Sequence, residues 1–480
     1  MSAIPAIADE IRIHNARTTP GQVLAIVCAG LIMANLDLFI VNVALPNIHY
    51  DFGNPALDDM SWILNGYAIV YASLLVFFGR LVERHRRELS FLVGIALFTA
   101  ASAACAAATG VWTLVAFRLV QAAGAALMTP TSLGLLLASY PPERRAGAVR
   151  TWTAIGGFAA AFGPVAGGLL LELSWRWIFI VNVPIGLAAL VVGWRKLPHV
   201  PGHHVPQPDA LGAVLVTAGV GALTFGLVKI NEWGWDSAGV LASLAFAAVL
   251  LVLFAAHCAR AANPLIEPAL FRLRAFTGAT FALVPFATAF GAMLLALVLW
   301  EEGAWNWSPL QAGLAIAPGP FLVPVTSLLV AGRLIKRFGT APVVTLGIIV
   351  FAAGCAWWAI TVTLTPSLAA ALGGIILTGI GVGLTMPTLM GAAAGSLPPS
   401  SFATGSAVVN MIRQTGMAVG IAGLIAIIGT PGGSIADHLG AFRHAWWAMA
   451  FITLLGLGPT FLMLRARPTA GPTTKDIAKS

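Results

Sequence analysis

Fourteen long apolar stretches, a one-sided placement of Arg and Lys between them, and a motif pair that returns in the second half of the chain predict an all-α membrane protein. The expected architecture is two six-helix bundles plus two inserted helices. The stretches lie near 22–45, 61–81, 89–109, 112–138, 148–171, 177–194, 210–229, 238–258, 276–299, 309–331, 341–361, 368–391, 405–428 and 444–464. A helix needs about 20 residues to cross a hydrocarbon core of about 30 Å, and each stretch is close to that length. With 59% of its residues hydrophobic and 9% charged, a chain of 480 residues has too little polar surface to be soluble as a globule. In lipid the backbone must satisfy its own hydrogen bonds, and the short alternating strands of a barrel do not occur.

Basic residues set the orientation, because Lys and Arg are retained in the cytoplasm. Alternate connections, from Arg12 and Arg17 to Lys475 and Lys479, hold 21 of them, whereas the others hold only Arg176, Lys229 and Arg443. Both termini are therefore expected in the cytoplasm. The formal charge of +8 is spread over seven segments beside lipid headgroups, which argues against a nucleic-acid partner. The first 20 residues carry Asp9, Glu10, Arg12 and Arg17 with no apolar core, so no removable leader is expected and the first span acts as the insertion signal. Cys28, Cys105, Cys258 and Cys355 fall within or at the ends of spans and lack metal-ligand spacing.

Gly79-Arg80-Leu81 after the second span returns as Gly332-Arg333-Leu334 after the tenth, and Thr129-Pro130-Thr131 returns as Met386-Pro387-Thr388. Parallel repeats imply two bundles around a midplane site. Residues 1–21 are then a cytoplasmic tail, 22–197 the first bundle, 198–275 a linker with two inserted spans, 276–465 the second bundle and 466–480 a second tail. Since the repeat leaves spans seven and eight outside both halves, they are expected to be dispensable for the moving core.

The ordered motifs resemble the major facilitator superfamily, and within it the 14-spanner drug:proton antiporter-2 family. Asp37 and Asn42 with Val43-Ala44-Leu45-Pro46 are similar to that family's first-helix motif. Gly79, Leu81, Glu83, Arg84 and Arg87 are similar to the superfamily's loop signature at the inner gate. Arg118, Gln121 and Gly124 resemble its fourth-helix motif, and Gly163-Pro164-Val165-Ala166-Gly167-Gly168 the antiporter motif of the fifth. Glu83 stands where Asp is usual, Arg86 and Ala122 where Gly is usual, and Lys336 where the second loop has an acid. The resemblance implies a major facilitator fold and multidrug efflux by antiport.

Physically, Gly163, Gly167 and Gly168 let a neighbouring backbone approach and Pro164 favours a kink, which suits either a hinge or ordinary small-residue packing. Ionisable groups inside spans are costly and are functional candidates. Asp37 is expected about 12 Å below the outer end of its span and Arg118 at a similar depth. As a pair they would load and release a proton, or form a fixed salt bridge. Glu301 and Glu302 follow Trp300 at an outer end, where they either face water or meet a cation. Arg413, in Arg413-Gln414-Thr415-Gly416, would hold an anion or a helix terminus. Tyr67, Trp152, Asn42 and Gln121 complete a candidate cavity, with Trp62, Trp446 and Trp447 as cavity walls or lipid anchors. His199, His203 and His204 lack a fourth metal ligand at suitable spacing, so no metal is expected.

No Gly-Lys-Ser/Thr phosphate loop, His-Glu-x-x-His helix or Gly-x-Ser-x-Gly elbow occurs, which leaves an ion gradient as the energy source and gives an enzyme no support. The expected function is proton-driven export of amphipathic, cationic or neutral compounds across the cytoplasmic membrane without a cofactor, alone or with a periplasmic adaptor. Export of one endogenous metabolite, such as an amino-acid derivative or siderophore, and a non-transporting receptor are the alternatives.

Overall fold

A computed structural model describes residues 18–202, 207–397, 402–429 and 435–465, and among these all regular structure is helical. The first half comprises α1 (Pro20–Asp51), α2 (Leu57–Arg84), α3 (Arg87–Ala106), α4 (Val111–Ser139), α5 (Pro142–Leu171) and α6 (Trp177–Ile180, continued by Asn182–Lys196). Next come α7 (Ala210–Trp233) and α8 (Ala238–Arg260), then α9 (Arg274–Gly303), α10 (spanning Pro309–Phe338), α11 (Thr340–Thr361), α12 (Leu368–Gly395), α13 (Phe402–Ile428) and α14 (Ile435–Leu455 with Leu457–Arg465). Polar side chains close many of the ends: Thr19, Asp209, Ser237, Ser308 and Ser367 each accept from a backbone N–H of the first turn.

Among the described residues, thirteen helices are long and apolar enough to cross a bilayer. The remaining expected crossing is α5, whose first turns carry Glu143, Arg144, Arg145 and Arg150 and whose described apolar stretch, Ile155–Leu171, is shorter. It nevertheless runs parallel to α1 at the same depth, since Gly156 meets Leu31, Gly163 meets Phe39 and Gly167 meets Ile40. Several helices outrun their apolar stretches: α1 extends to Asp51 where hydropathy ends near 45, and α9 to Gly303 where it ends near 299. Hydropathy registers the hydrocarbon core, whereas the backbone ladder continues through the interfacial turns. The tenth span departs most from a plain helix. Pro318, Pro320 and Pro324 interrupt its hydrogen bonding, and it passes through a π-helical segment at Thr326–Ala331.

Within the first half α1 packs on α4, α5 and α6, and α2 and α3 on α4; within the second, α9 packs on α12, α13 and α14, and α11 on α12 and α14. The halves meet through α1 with α9, α2 with α13 and α5 with α10. The adjacent glycines of α5 divide this work. Gly167 faces Ile40 and Val43 of α1, while a Cβ on Gly168 would lie 2.7 Å from Leu310 Cα and 2.8 Å from Pro309 O of α10. The α10 backbone leaves no room for a Cβ at Gly168, whereas at Gly167 a Cβ would press on the Ile40 side chain at 3.0 Å.

The two helices outside the repeat are not alike. Although it lies outside the repeat, α7 sits in the groove between α2 and α13 and touches both halves. Lys229 Nζ donates to Asp58 Oδ2 at 2.6 Å, and Phe225 packs on Trp62 with centroids 6.4 Å apart. By contrast α8 packs mainly on α7 and turns Leu241, Phe246, Val249, Val252 and Leu253 outward. Such a face is stable only in lipid or against another apolar surface. Asp209 ties the pair together at the basic face, the side of the bundle bearing Arg80, Arg84 and Arg86. Its carboxylate accepts from Gly212 N–H at 2.8 Å and Leu265 N–H at 2.9 Å and meets His257 Nε2 at 2.8 Å. Burial raises Asp209, but these hydrogen bonds outweigh it and hold the carboxyl below the ordinary aspartate value.

Candidate functional site

A closed polar cluster lies inside the first half where α1, α3 and α4 meet. Asp37, Arg118 and Gln121 are each 0% exposed. Arg118 Nη1 donates to Asp37 Oδ2 in a short ion pair and to Gln121 Oε1 at 2.6 Å, while Arg118 Nε donates to Ile63 O at 3.3 Å. Gln121 Nε2 donates to Asp37 Oδ1 at 2.9 Å and to Ser102 Oγ at 2.8 Å. Three residues separate Arg118 from Gln121, which puts both on one face of α4. Asp37 lies fourteen residues from the end of α1 at Asp51, about 21 Å along the helix. The Arg118 guanidinium rests 4.1 Å above the Tyr67 ring. Tyr67 in turn stacks on Tyr71 at 5.9 Å, and Tyr71 Oη shares a hydrogen bond of 3.1 Å with Thr129 Oγ1.

The other candidates are scattered around this cluster. Asn42 bonds back to Leu38 O of its own helix at 2.8 Å and leaves Oδ1 without a partner. Trp152 is half-buried with its indole N–H unmade. Trp446 is buried against Trp358 at 4.7 Å, and Trp447 is exposed on the outside of the bundle. At the basic face Gly79 lies 4.0 Å from Pro130, if given a Cβ, and Arg87 crosses Gly134 with Nη1 3.4 Å from its carbonyl. Glu83 is half-buried and Arg84 exposed. Here Glu88 ties the loop to the linker, accepting from Arg86 Nε at 2.6 Å and Val200 N–H at 3.0 Å. Arg80 pairs with Glu267 at 2.7 Å. His199 borders a small cavity of about 290 Å³ with Thr18, Val23, Ser139 and Pro201, and His203 and His204 lie outside the described residues.

The second half carries polar groups whose bonds are unmade. Arg413 lies on α13 among Asn410, Gln414 and Met417; among the described residues its Nη1 reaches only Met417 Sδ at 3.9 Å, and its Nε has no partner. Gln414, 1% exposed, lacks partners at both Oε1 and Nε2. Asp37 is not the sole carboxylate buried within a helix of the bundle. Glu301 is 1% exposed with neither oxygen bonded, while Glu302 beside it is half-buried. α9 and α13 run parallel, with Gly416 beside Val284 and Ala287. Arg413 is thus level with the turn around Pro285, and Glu301 lies about 16 residues, or roughly 24 Å, further along.

Sequence reasoning passed over Ser102, Tyr71, Thr129 and the burial of Glu301. Tyr71 was within reach, four residues after Tyr67 on the same helical face. The burial of Glu301 depends on how the last turn of α9 packs, which has no local signal.

A helical bundle of two similar halves, with a charged pair sealed between spanning helices, defines a multi-pass membrane transporter. The chain belongs to the Major Facilitator Superfamily, whose family model matches residues 27–300 and again 279–479. It is 32% identical to a cephamycin export protein of Amycolatopsis lactamdurans over 91% of each chain. It is 30% identical to a tetracenomycin C resistance and export protein of Streptomyces glaucescens, over 92% of this chain and 80% of the relative. A methylenomycin A resistance protein of Streptomyces coelicolor is 31% identical over 96% and 95% of the two chains. Among solved structures, a peptide transporter (POT) in complex with sulfate superposes with a TM-score of 0.70 over 94% of this chain and 99% of its own, at 16% identity, a likeness of fold alone.

Proposed function

We propose that the protein exports small amphipathic compounds from the cytoplasm in exchange for protons, by alternating access. The relatives named for antibiotic export and resistance support the export half of this reading. The observation that carries the proton half is the Asp37–Arg118–Gln121 cluster: a carboxylate fully removed from water, bridging α1 to α4, with each oxygen accepting from one donor on α4 and a lone pair left on each. An ionised Asp37 holds the two helices together through Arg118. Proton uptake on a carboxylate oxygen removes the charge that Arg118 neutralises, so the α1–α4 contact loosens and the guanidinium is freed toward Tyr67. The reverse step returns the proton and re-forms the pair. α5 allows the halves to rock because its contacts with α1 and α10 are glycine surfaces that slide without interlocked side chains. In this reading the basic face is cytoplasmic.

The test uses everted membrane vesicles energised to acidify their lumen. The parent protein should accumulate substrate in the lumen, and a gradient of reverse sign should empty it. Asp37→Asn keeps the shape of the side chain without a titratable group, and should lower gradient-driven uptake by at least ten-fold while downhill exchange persists. Uphill uptake at the parental rate in Asp37→Asn would refute a coupling role for this carboxylate.

A further inference from the structure

We propose that the transported compound carries an acidic group, a carboxylate or an aromatic enolate, that docks on Arg413 of α13. This rests on the export reading above and narrows its substrate class. An ionised guanidinium within a spanning helix is strongly disfavoured without a counter-charge. Yet Arg413 has no carboxylate within ion-pair distance among the described residues. Asp37 is occupied by Arg118 and Gln121, and Glu301 and Glu302 lie about 24 Å further along the bundle. A thioether sulfur is a weak acceptor, so the contact with Met417 leaves the donors of the fork available. Gln414 beside it holds an amide with both ends unmade. Arg413 as a whole residue is half-buried, while its Nε is shut off from solvent.

Opposite Arg413 across the α2–α13 contact lies Tyr71, within electrostatic range of it and stacked on Tyr67. Tyr71 supplies an aromatic face, backed by the buried Tyr67, and the planar guanidinium a bidentate anchor. Together they fit a flat ring system bearing an anionic oxygen pair. The sequence predicts cationic or neutral cargo, but the unpaired charge on α13 is itself positive and repels a cation.

Purified full-length protein in detergent, titrated with anthraquinone-2-carboxylate, its neutral carboxamide and the corresponding aminomethyl cation, tests this through tryptophan quenching. The parent should bind the carboxylate about ten-fold or more tightly than the amide, and the cation most weakly. Arg413→Gln should bring the carboxylate-to-amide ratio near one, and Arg413→Met gives a second neutral variant should the first not purify as a monodisperse species. Equal binding of amide and carboxylate by the parent, tighter binding of the cation, no binding of any of the three, or a preference that survives both substitutions would overturn the proposal. Gradient-driven movement is read separately in vesicles. Its loss with the binding preference intact would refute export and leave the anion site standing.

Discussion

Arg118 and Arg413 are the two arginines inside spans, one in each half, and they differ in every bond they make. Arg118 is fully buried and bonded to Asp37, Gln121 and Ile63, with the Tyr67 ring against its guanidinium. Arg413 is half-buried and reaches a single sulfur. The glutamines beside them repeat the contrast: Gln121 bonds three side chains, and Gln414 none. A saturated buried charge fixes its surroundings, because removing one member strands the other. An unsaturated one is a standing cost that only a ligand, an ion or water relieves. The first half thus holds a self-contained polar cluster, and the second presents an incomplete one.

The contrast breaks most easily on stability. Arg118→Gln strands Asp37 as an unpaired buried carboxylate and should cost about 3–5 kcal/mol, whereas Arg413→Gln removes a charge with no partner to strand and should be neutral or stabilising. Thermal unfolding in one detergent at neutral pH compares them; equal losses would erase the distinction. A smaller effect of the same kind is expected at the two glutamines. Gln121→Leu removes a donor from Asp37 and should cost about 1–3 kcal/mol, while Gln414→Leu replaces an unbonded amide with an apolar group of similar size and should change stability by under about 1 kcal/mol or raise it. The ordering of the two melting temperatures decides the point.

The smallest effect sharpens the comparison with a satisfied carboxylate outside the membrane. Asp209 has a lowered pKa in the folded protein, so its contribution is fully present above the unfolded aspartate value of about 3.9 and is lost as pH falls through the lower folded value. Asp209→Ala should therefore cost about 1 kcal/mol near neutral pH through loss of the α7 cap, with parent and variant converging in strongly acid solution. A gap in melting temperature that does not narrow on acidification would assign the effect to packing instead.

Much of this molecule is legible in the sequence because its solvent is. A bilayer forces each crossing to be helical, apolar and of nearly fixed length, so the helical fold and the approximate limits of its spans follow from hydropathy without tertiary information. Motif order was legible for a similar reason: Arg118 and Gln121 share a helical face by spacing alone, and a lone Asp37 in an apolar span requires a partner. Contacts between helices distant in the chain were decided only by the tertiary structure. Nothing local says that Ser102 completes the Gln121 bond, that Gly168 faces α10 while Gly167 faces α1, or that α7 joins α2 to α13. The same holds for Arg118 and Arg413, which in sequence are two similar Arg-x-x-Gln and Arg-Gln pairs in apolar helices. Their opposite states depend on whether a carboxylate from another helix arrives at the same depth, and hydrophobic periodicity, which fixes each helix separately, carries no information about that meeting.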